Sequence, residues 1–330
     1  MLDLRRRPFI TLLGGAAAAW PLAARAQQAG IPIVGYLNDG SPEASANQVA
    51  AFRQGLSEAG YVDGRNAAIE FRWAHNDNGR LPEMAADLVR SRVALIAVVA
   101  STPAALAAKV ATATIPIVFY SGGDPVQLGL VASLNRPGGN VTGVTSMNAE
   151  LGAKRLGLLH ELLPGAAPFG LLINPKNPTS DAAITDVRAA AAAIGRQVEV
   201  LTASNSRDID TAFASLVQKR VAALSVSPDA LFLVRRIQIV TLAVYHRVPA
   251  IFAFREDAEA GGLMSYGSSI TASSRQVGVY TGRILKGEKP ADLPVQLAAK
   301  FELVINLQIA KLLKLDVSPM LLARADEVIE

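Results

Sequence analysis

Apolar and polar positions alternate along this chain in blocks that read as strand, helix, strand, helix. Ile31 to Leu37 is a short apolar run, the pattern of a parallel strand buried on both faces, and Asn38-Asp39-Gly40 ends it. Ser41 and Pro42 then supply an N-cap and a first helical position, after which Val49, Phe52 and Leu56 recur at helical spacing until Gly60. The same reading predicts a strand over 69–73, a helix over 81–90 and a strand over 93–100. Ser101-Thr102-Pro103 opens a further helix, and 115–120 is the next strand.

The second half repeats the first. A strand over 169–173 ends at Asn174, and Ile184, Val187, Ala191 and Ile194 mark a helix face closed by Gly195, before a strand over 198–201. The segment 88–98 finds an echo in 216–226, 115–119 in 248–252, and Leu37-Asn38 in Ile173-Asn174, at offsets between 128 and 136 residues. Similar offsets for three separate elements point to two copies of one α/β unit. The expected fold class is therefore α/β: two similar doubly wound parallel-sheet lobes, linked near Asn135 to Thr145, with a ligand cleft between them. Ligands of such sheets sit outside the carboxyl ends of the strands. That directs attention to Asn38-Asp39, Ser101-Thr102, Ser121 to Asp124, Asn174 to Asn177, Ser227 to Asp229 and Phe254 to Glu256.

The amino-terminal segment changes where this fold is expected to work. Arg5, Arg6 and Arg7 precede an uncharged run from Pro8 to Ala24 that closes on Ala24-Arg25-Ala26, the outline of an export signal over residues 1–26. Gly14, Gly15 and Pro21 break the run, and it is shorter than the roughly 20 residues of a membrane-spanning helix. Arg6-Arg7-Pro8-Phe9 fits the twin-arginine route and fits a generic basic start equally. The chain has no Cys, so no lipid can be attached at a cleavage-site cysteine, and a soluble periplasmic product is expected. Residues 1–26 carry four Arg against one Asp, so most of the formal charge of +4 belongs to the leader. A basic nucleic-acid surface is not indicated.

The same composition narrows the chemistry. Without Cys there is no thiol catalysis, and His75, His160 and His246 lack metal-ligand spacing. Neither a Gly-x-Ser-x-Gly elbow nor a phosphate-binding glycine loop occurs, so neither an enzyme nor a cofactor is expected.

Further residues carry a family likeness. Leu134 to Gly143 resembles the Pro-Gly-Gly-Asn-x-Thr-Gly segment of the periplasmic ABC-transporter substrate-binding proteins that include tryptophan/tyrosine-type uptake binders. Thr102-Pro103, Asp124-Pro125, the segments 282–292 and 301–306, and the end 321–329 are similar as well. The resemblance implies the type I periplasmic binding protein fold. One lobe would comprise 31–145 plus about 268–290, and the other 146–267 plus about 291–330. It also implies a monomeric receptor that delivers a small organic solute, an amino acid or related carboxylate, to an ABC permease. The alternative is a ligand-sensing partner of a membrane receptor or kinase.

Seven residues are candidates for holding a solute. Thr102 stands at a helix N-terminus, which favours a carboxylate, or simply caps that helix; Ser101 is a weaker version of the same case. The resemblance aligns Asp124 and Asp229 with family acids, and a carboxylate there would pair with an ammonium group or cap the next turn. Asn38 and Asn174 end the first strand of each half and either face the cleft or make turns. Tyr266 is expected at a lobe crossover, with Tyr36, Tyr120, Phe252 and Phe254 as other aromatic walls or core. Gly138 and Gly139 read as a hinge or as a rigid tight turn. Ser121-Gly122-Gly123 and Phe254-Arg255-Glu256 depart from the aromatic amino-acid binders. Arg255 would recognise an extra acidic group or pair with Glu256 or Asp257.

Overall fold

The structure, a computed structural model, describes residues 30–165, 167–298 and 301–330. The export signal expected over 1–26 lies outside the described residues. Two open sheets organise the chain. The first has the order β11-β5-β4-β3-β1-β2, with β1 at Ile33–Asn38, β2 at Ala68–Trp73, β3 at Leu95–Val98, β4 at Ile117–Ser121, β5 at Val141–Thr145 and β11 at Gln296–Leu297. The second has the order β13-β12-β10-β9-β8-β6-β7. Its strands are β6 at Phe169–Ile173, β7 at Val198–Thr202, β8 at Ala223–Val226, β9 at Ala250–Phe252, β10 at Met264–Ser268, β12 at Phe301–Asn306 and β13 at Glu327–Ile329. Five strands of each follow one order, β2-β1-β3-β4-β5 and β7-β6-β8-β9-β10, the duplication that the sequence echoes predict. The sheets differ at one edge: β11 runs parallel to β5, whereas β12 runs antiparallel to β10.

Helices cover both faces of each sheet, which is why the strands read as unbroken apolar runs. Successive residues enter opposite cores. Val34, Tyr36, Leu95, Ala97, Val118 and Tyr120 pack on one face of the first sheet, while Leu37, Ile96, Val98, Ile117 and Phe119 pack on the other. Among the described residues no helix is long and apolar enough to cross a membrane.

The chain passes between the lobes three times. After β5 the helix Gly152–Leu162 packs in the second lobe, and after β10 the helix Ile270–Leu285 packs back on the first. The third passage follows β11. Ala298 N–H donates to Thr145 O and Val295 N–H to Leu134 O, so the return to the second sheet comes after residue 298, later than the boundary expected near 291.

Helix Ile270–Leu285 lies on helix Ala46–Glu58 at very close range. A methyl group on Gly278 would sit 2.1 Å from Phe52 O, and one on Gly55 would sit 1.8 Å from Arg275 O. Both distances are far inside van der Waals contact, so only glycine permits the crossing. Gly278→Ala is expected to lower unfolding stability by about 1–3 kcal/mol or more through overpacking. Gly157→Ala, on a helix where an added methyl meets nothing within 4 Å, should instead raise it by about 0.5–1 kcal/mol. Denaturant unfolding of the two variants beside the wild type measures both; equal effects would show that the crossing tolerates a side chain.

Candidate ligand-binding cleft

The carboxyl ends of β1, β3 and β4 face those of β6, β8 and β9 across a void of about 470 Å³, part of it open to solvent. From the first lobe come Asp39, Ser101, Thr102, Tyr120, Gly122 and Gly123. The second lobe supplies Asn177, Thr179, Pro228, Asp229, Leu233 and Phe254, and Ala149 lies just past the first crossover.

On the first side, β3 leads through Ala100, whose φ of 56° is unusual for a residue with a side chain, into helix Thr102–Ala111. The N-cap is Ser101 and not Thr102: Ser101 Oγ accepts from Ala104 N–H at 3.2 Å. Pro103 has no N–H, so the helix end offers the Thr102 N–H and hydroxyl in place of a full set of amides. The Thr102 hydroxyl is shared with Ser121 Oγ at 3.1 Å. Tyr120 closes the floor, its phenol donating to Ser146 Oγ at 3.3 Å.

On the opposite side Asp229 is held by amides. Its Oδ1 accepts from Leu231 N–H at 2.8 Å and from Asn174 Nδ2 at 3.1 Å, and its Oδ2 from Asn177 Nδ2 at 2.8 Å. Asn174 is thereby a positioning residue behind the cleft wall. It does not itself line the void. Burial raises the Asp229 carboxyl above its ordinary value, and the Asn177 and Asn174 amides offset part of the shift.

Other expected residues lie elsewhere. Asn38 ends β1, but its amide is used locally, donating to Val99 O at 2.6 Å and accepting from Gly40 N–H at 2.7 Å. Asp124 takes the turn reading: its Oδ1 accepts from Val126 and Gln127 N–H, and it lines an adjoining cavity. Tyr266 points into the second lobe and stacks on Phe301 with ring centroids 6.4 Å apart, because alternation along β10 sends it away from the cleft. Gly138 and Gly139, both at φ 70°, form a turn in the first lobe, where Ala132 N–H donates to Pro137 O. The next residue, Asn140, ties that turn to Thr112 O and Ile115 O at the amino end of the sheet, opposite the cleft, so they are no hinge between lobes. Tyr36 and Phe252 are core, whereas Tyr120 and Phe254 reach the cleft. Arg255 pairs with Glu259, Glu302 and Glu327 rather than with Glu256 or Asp257, and it lies outside the void.

Asp39, noted with Asn38 at the end of the first strand but not among the seven candidates for holding a solute, is the group that the structure adds. It is 5% exposed, lines the cleft, and its Oδ1 has no hydrogen-bond partner among the described residues. Burial pushes its carboxyl up to about 7, with the Ser101 hydroxyl offsetting part of the shift and the Asp229 carboxylate adding to it. No group of residues able to hold a metal occurs among the described residues.

Comparison with known proteins places this geometry. The family model described as ABC transporter substrate binding protein matches residues 41–329. A tyrosine-binding protein of Clostridioides difficile is 31% identical over 255 residues, covering 77% of this chain and 73% of that protein. An ABC domain from Streptococcus pneumonia solved in complex with L-Trp superposes with a TM-score of 0.82 at 26% identity, over 91% of this chain and 100% of that one. The ligand-free, open structure of a substrate-binding protein with adhesive properties from Clostridium difficile reaches only 0.63, also at 26% identity and over 91% of this chain and 99% of that one.

The raised Asp39 carboxyl has a consequence for stability. Its folded value of about 7 exceeds the ordinary 3.8, so the folded protein keeps a proton that the unfolded chain releases. The stability this lends is complete below about pH 4 and is lost as pH rises through about 7. Asp257, likewise pushed up to about 7 by burial, acts in the same direction. In solute-free protein, Asp39→Asn is expected to leave Tm little changed near pH 4. Relative to the wild type it should raise Tm progressively up to pH 8, as thermal denaturation across that range will show. A difference independent of pH would mean that the Asp39 carboxyl is not shifted.

Proposed function

The chain belongs to the ABC transporter substrate-binding protein family, and on that premise we propose that it is a periplasmic receptor capturing an amino acid for an ABC permease. Export by the signal over residues 1–26 and a monomeric mature form complete this reading. One observation carries the choice of solute: Asp229, fixed by two asparagine amides and a helix N–H, stands across the cleft from the Thr102 helix end. An acid facing a helix N-terminus matches the ammonium and carboxylate ends of a zwitterion. The naming of the Clostridioides difficile relative for tyrosine and the L-Trp bound to the Streptococcus pneumonia domain support the same class.

Capture of this kind needs only reversible contacts, each lobe contributing one half. In the open state the solute meets one lobe. Closing then brings the other charge partner against it, while Tyr120, Leu233 and Phe254 exclude water from the polar contacts. No step requires an activated nucleophile, and the hydroxyls of the cleft have partners: Thr102 with Ser121, Thr179 with Asn177 Oδ1, and Ser101 with Ala104 N–H and the Asp39 carboxyl. Micromolar affinity corresponds to about −8 kcal/mol, within reach of a few charge-assisted hydrogen bonds plus burial of an apolar side chain.

Native mass spectrometry of the protein purified with its endogenous solute, followed by calorimetric titration of the stripped protein with L-amino acids, tests the reading. A bound amino-acid mass and a dissociation constant below about 100 μM are expected. Asp229→Asn should weaken binding about 10- to 100-fold, the loss of one charge-assisted contact. Absence of binding across the whole amino-acid panel would exclude the proposed solute class.

A further inference from the structure

We propose that the cleft is built for a solute with a second cationic group, a basic amino acid carrying a side-chain ammonium or guanidinium, with Asp39 as its partner. This rests on the amino-acid reading above and sharpens it. The zwitterion already accounts for Asp229 and for the Thr102 helix end. It leaves Asp39 over.

That residue is almost fully buried and faces the void, with Oδ1 unmatched among the described residues. Asp229 differs, because both of its oxygens already accept amide hydrogens. A buried carboxylate held only by neutral donors, the Ser101 hydroxyl and neighbouring backbone N–H groups, keeps an uncompensated charge, and protonation or an arriving cation removes that cost. None of the residues lining the cleft is Lys, Arg or His. Arg236, the base next to this region, acts on Glu256 and Asp257 and donates through Nε to Leu233 O at 3.0 Å.

The neighbouring cavity carries the same sign. A second cavity, about 750 Å³ against about 470 Å³ for the cleft and likewise partly open to solvent, adjoins it across Gly123, Ala149 and Thr179. Its ionisable residues are Asp124, Glu150 and Asp186, drawn from both lobes, again without a base. Burial raises the Glu150 carboxyl, and Asp124 and then Asp186 add to the shift, which places these three acids within electrostatic reach of one another. Two adjoining cavities lined by acids and by no base concentrate cations and repel anions. A neutral aromatic amino acid gains nothing from that arrangement.

L-Arginine and L-citrulline have nearly the same shape and differ in one charge, so they isolate the effect. Calorimetry on stripped wild-type protein at pH 8 and low salt should find arginine or lysine at least tenfold tighter than citrulline. Salt should weaken arginine more than citrulline. In Asp39→Asn the arginine-to-citrulline ratio should fall to within about threefold, while citrulline binding persists. Citrulline or tyrosine binding as tightly as arginine and lysine would overturn the second-cation proposal and leave amino-acid capture standing. Tight, Asp39-dependent binding of putrescine with no binding of any amino acid would support the cationic partner and overturn the amino-acid reading instead. Binding of none of these probes would overturn the proposal.

Discussion

The close crossing of helices Ala46–Glu58 and Ile270–Leu285 is the constraint from which the rest of this molecule follows. Two backbones meet where glycines leave no room for a methyl group, and that contact pulls a segment from late in the chain back onto the first lobe. Once it is there, the chain must pass between lobes before it and again after it. Three connections result, leaving β5, β10 and β11. A single connection would let two duplicated α/β units drift apart. Three hold them face to face, with the carboxyl ends of their strands opposed and the cleft already shaped.

Polar groups near these connections are unusually well buried. Arg155 is almost wholly enclosed, with Nε donating to Tyr266 O at 2.9 Å, and burial lowers its guanidinium to about 10. Asn148 Oδ1 accepts from Ser268 N–H at 3.1 Å and so joins the first passage to the second. Such groups add little net stability, but they specify one arrangement among many that pack equally well. In the cleft, Asp39 keeps a carboxylate oxygen without a partner among the described residues and has only neutral donors, Ser101 among them, on the rest of the group. Stability is lower there than it could be, as expected where a site is prepared for a partner it does not yet hold.

Much of this was legible from residue order. Apolar runs marked the strands, and helix 81–90 begins and ends where its spacing predicts. The echo between halves reappears as a shared strand order. What could not be read was direction. On a strand covered by helices on both sides, residues of either parity are buried, so periodicity does not say which side chains face which core. That is why Tyr266 pointed away, why Tyr120 rather than Tyr36 reached the void, and why Asn38 was favoured over Asp39. The glycine pair 138–139 misled for a related reason: a left-handed turn looks the same at either end of a sheet. Asn177 stood among the strand-end positions, but its role was hidden because it depends on Asp229, 52 residues distant and joined to it only in three dimensions.

The Asn148–Ser268 bond has a wider meaning for how a solute becomes a message. Tying adjacent passages together leaves the lobes few independent ways to move, so recognition by one half cannot be separated from recognition by the other. A molecule that satisfies only one wall gains half of the contacts and leaves the receptor gaping. Shape, in such a device, works as a logical conjunction. A permease needs to inspect only the outline of the closed receptor, never the cargo, to know that both ends have been verified.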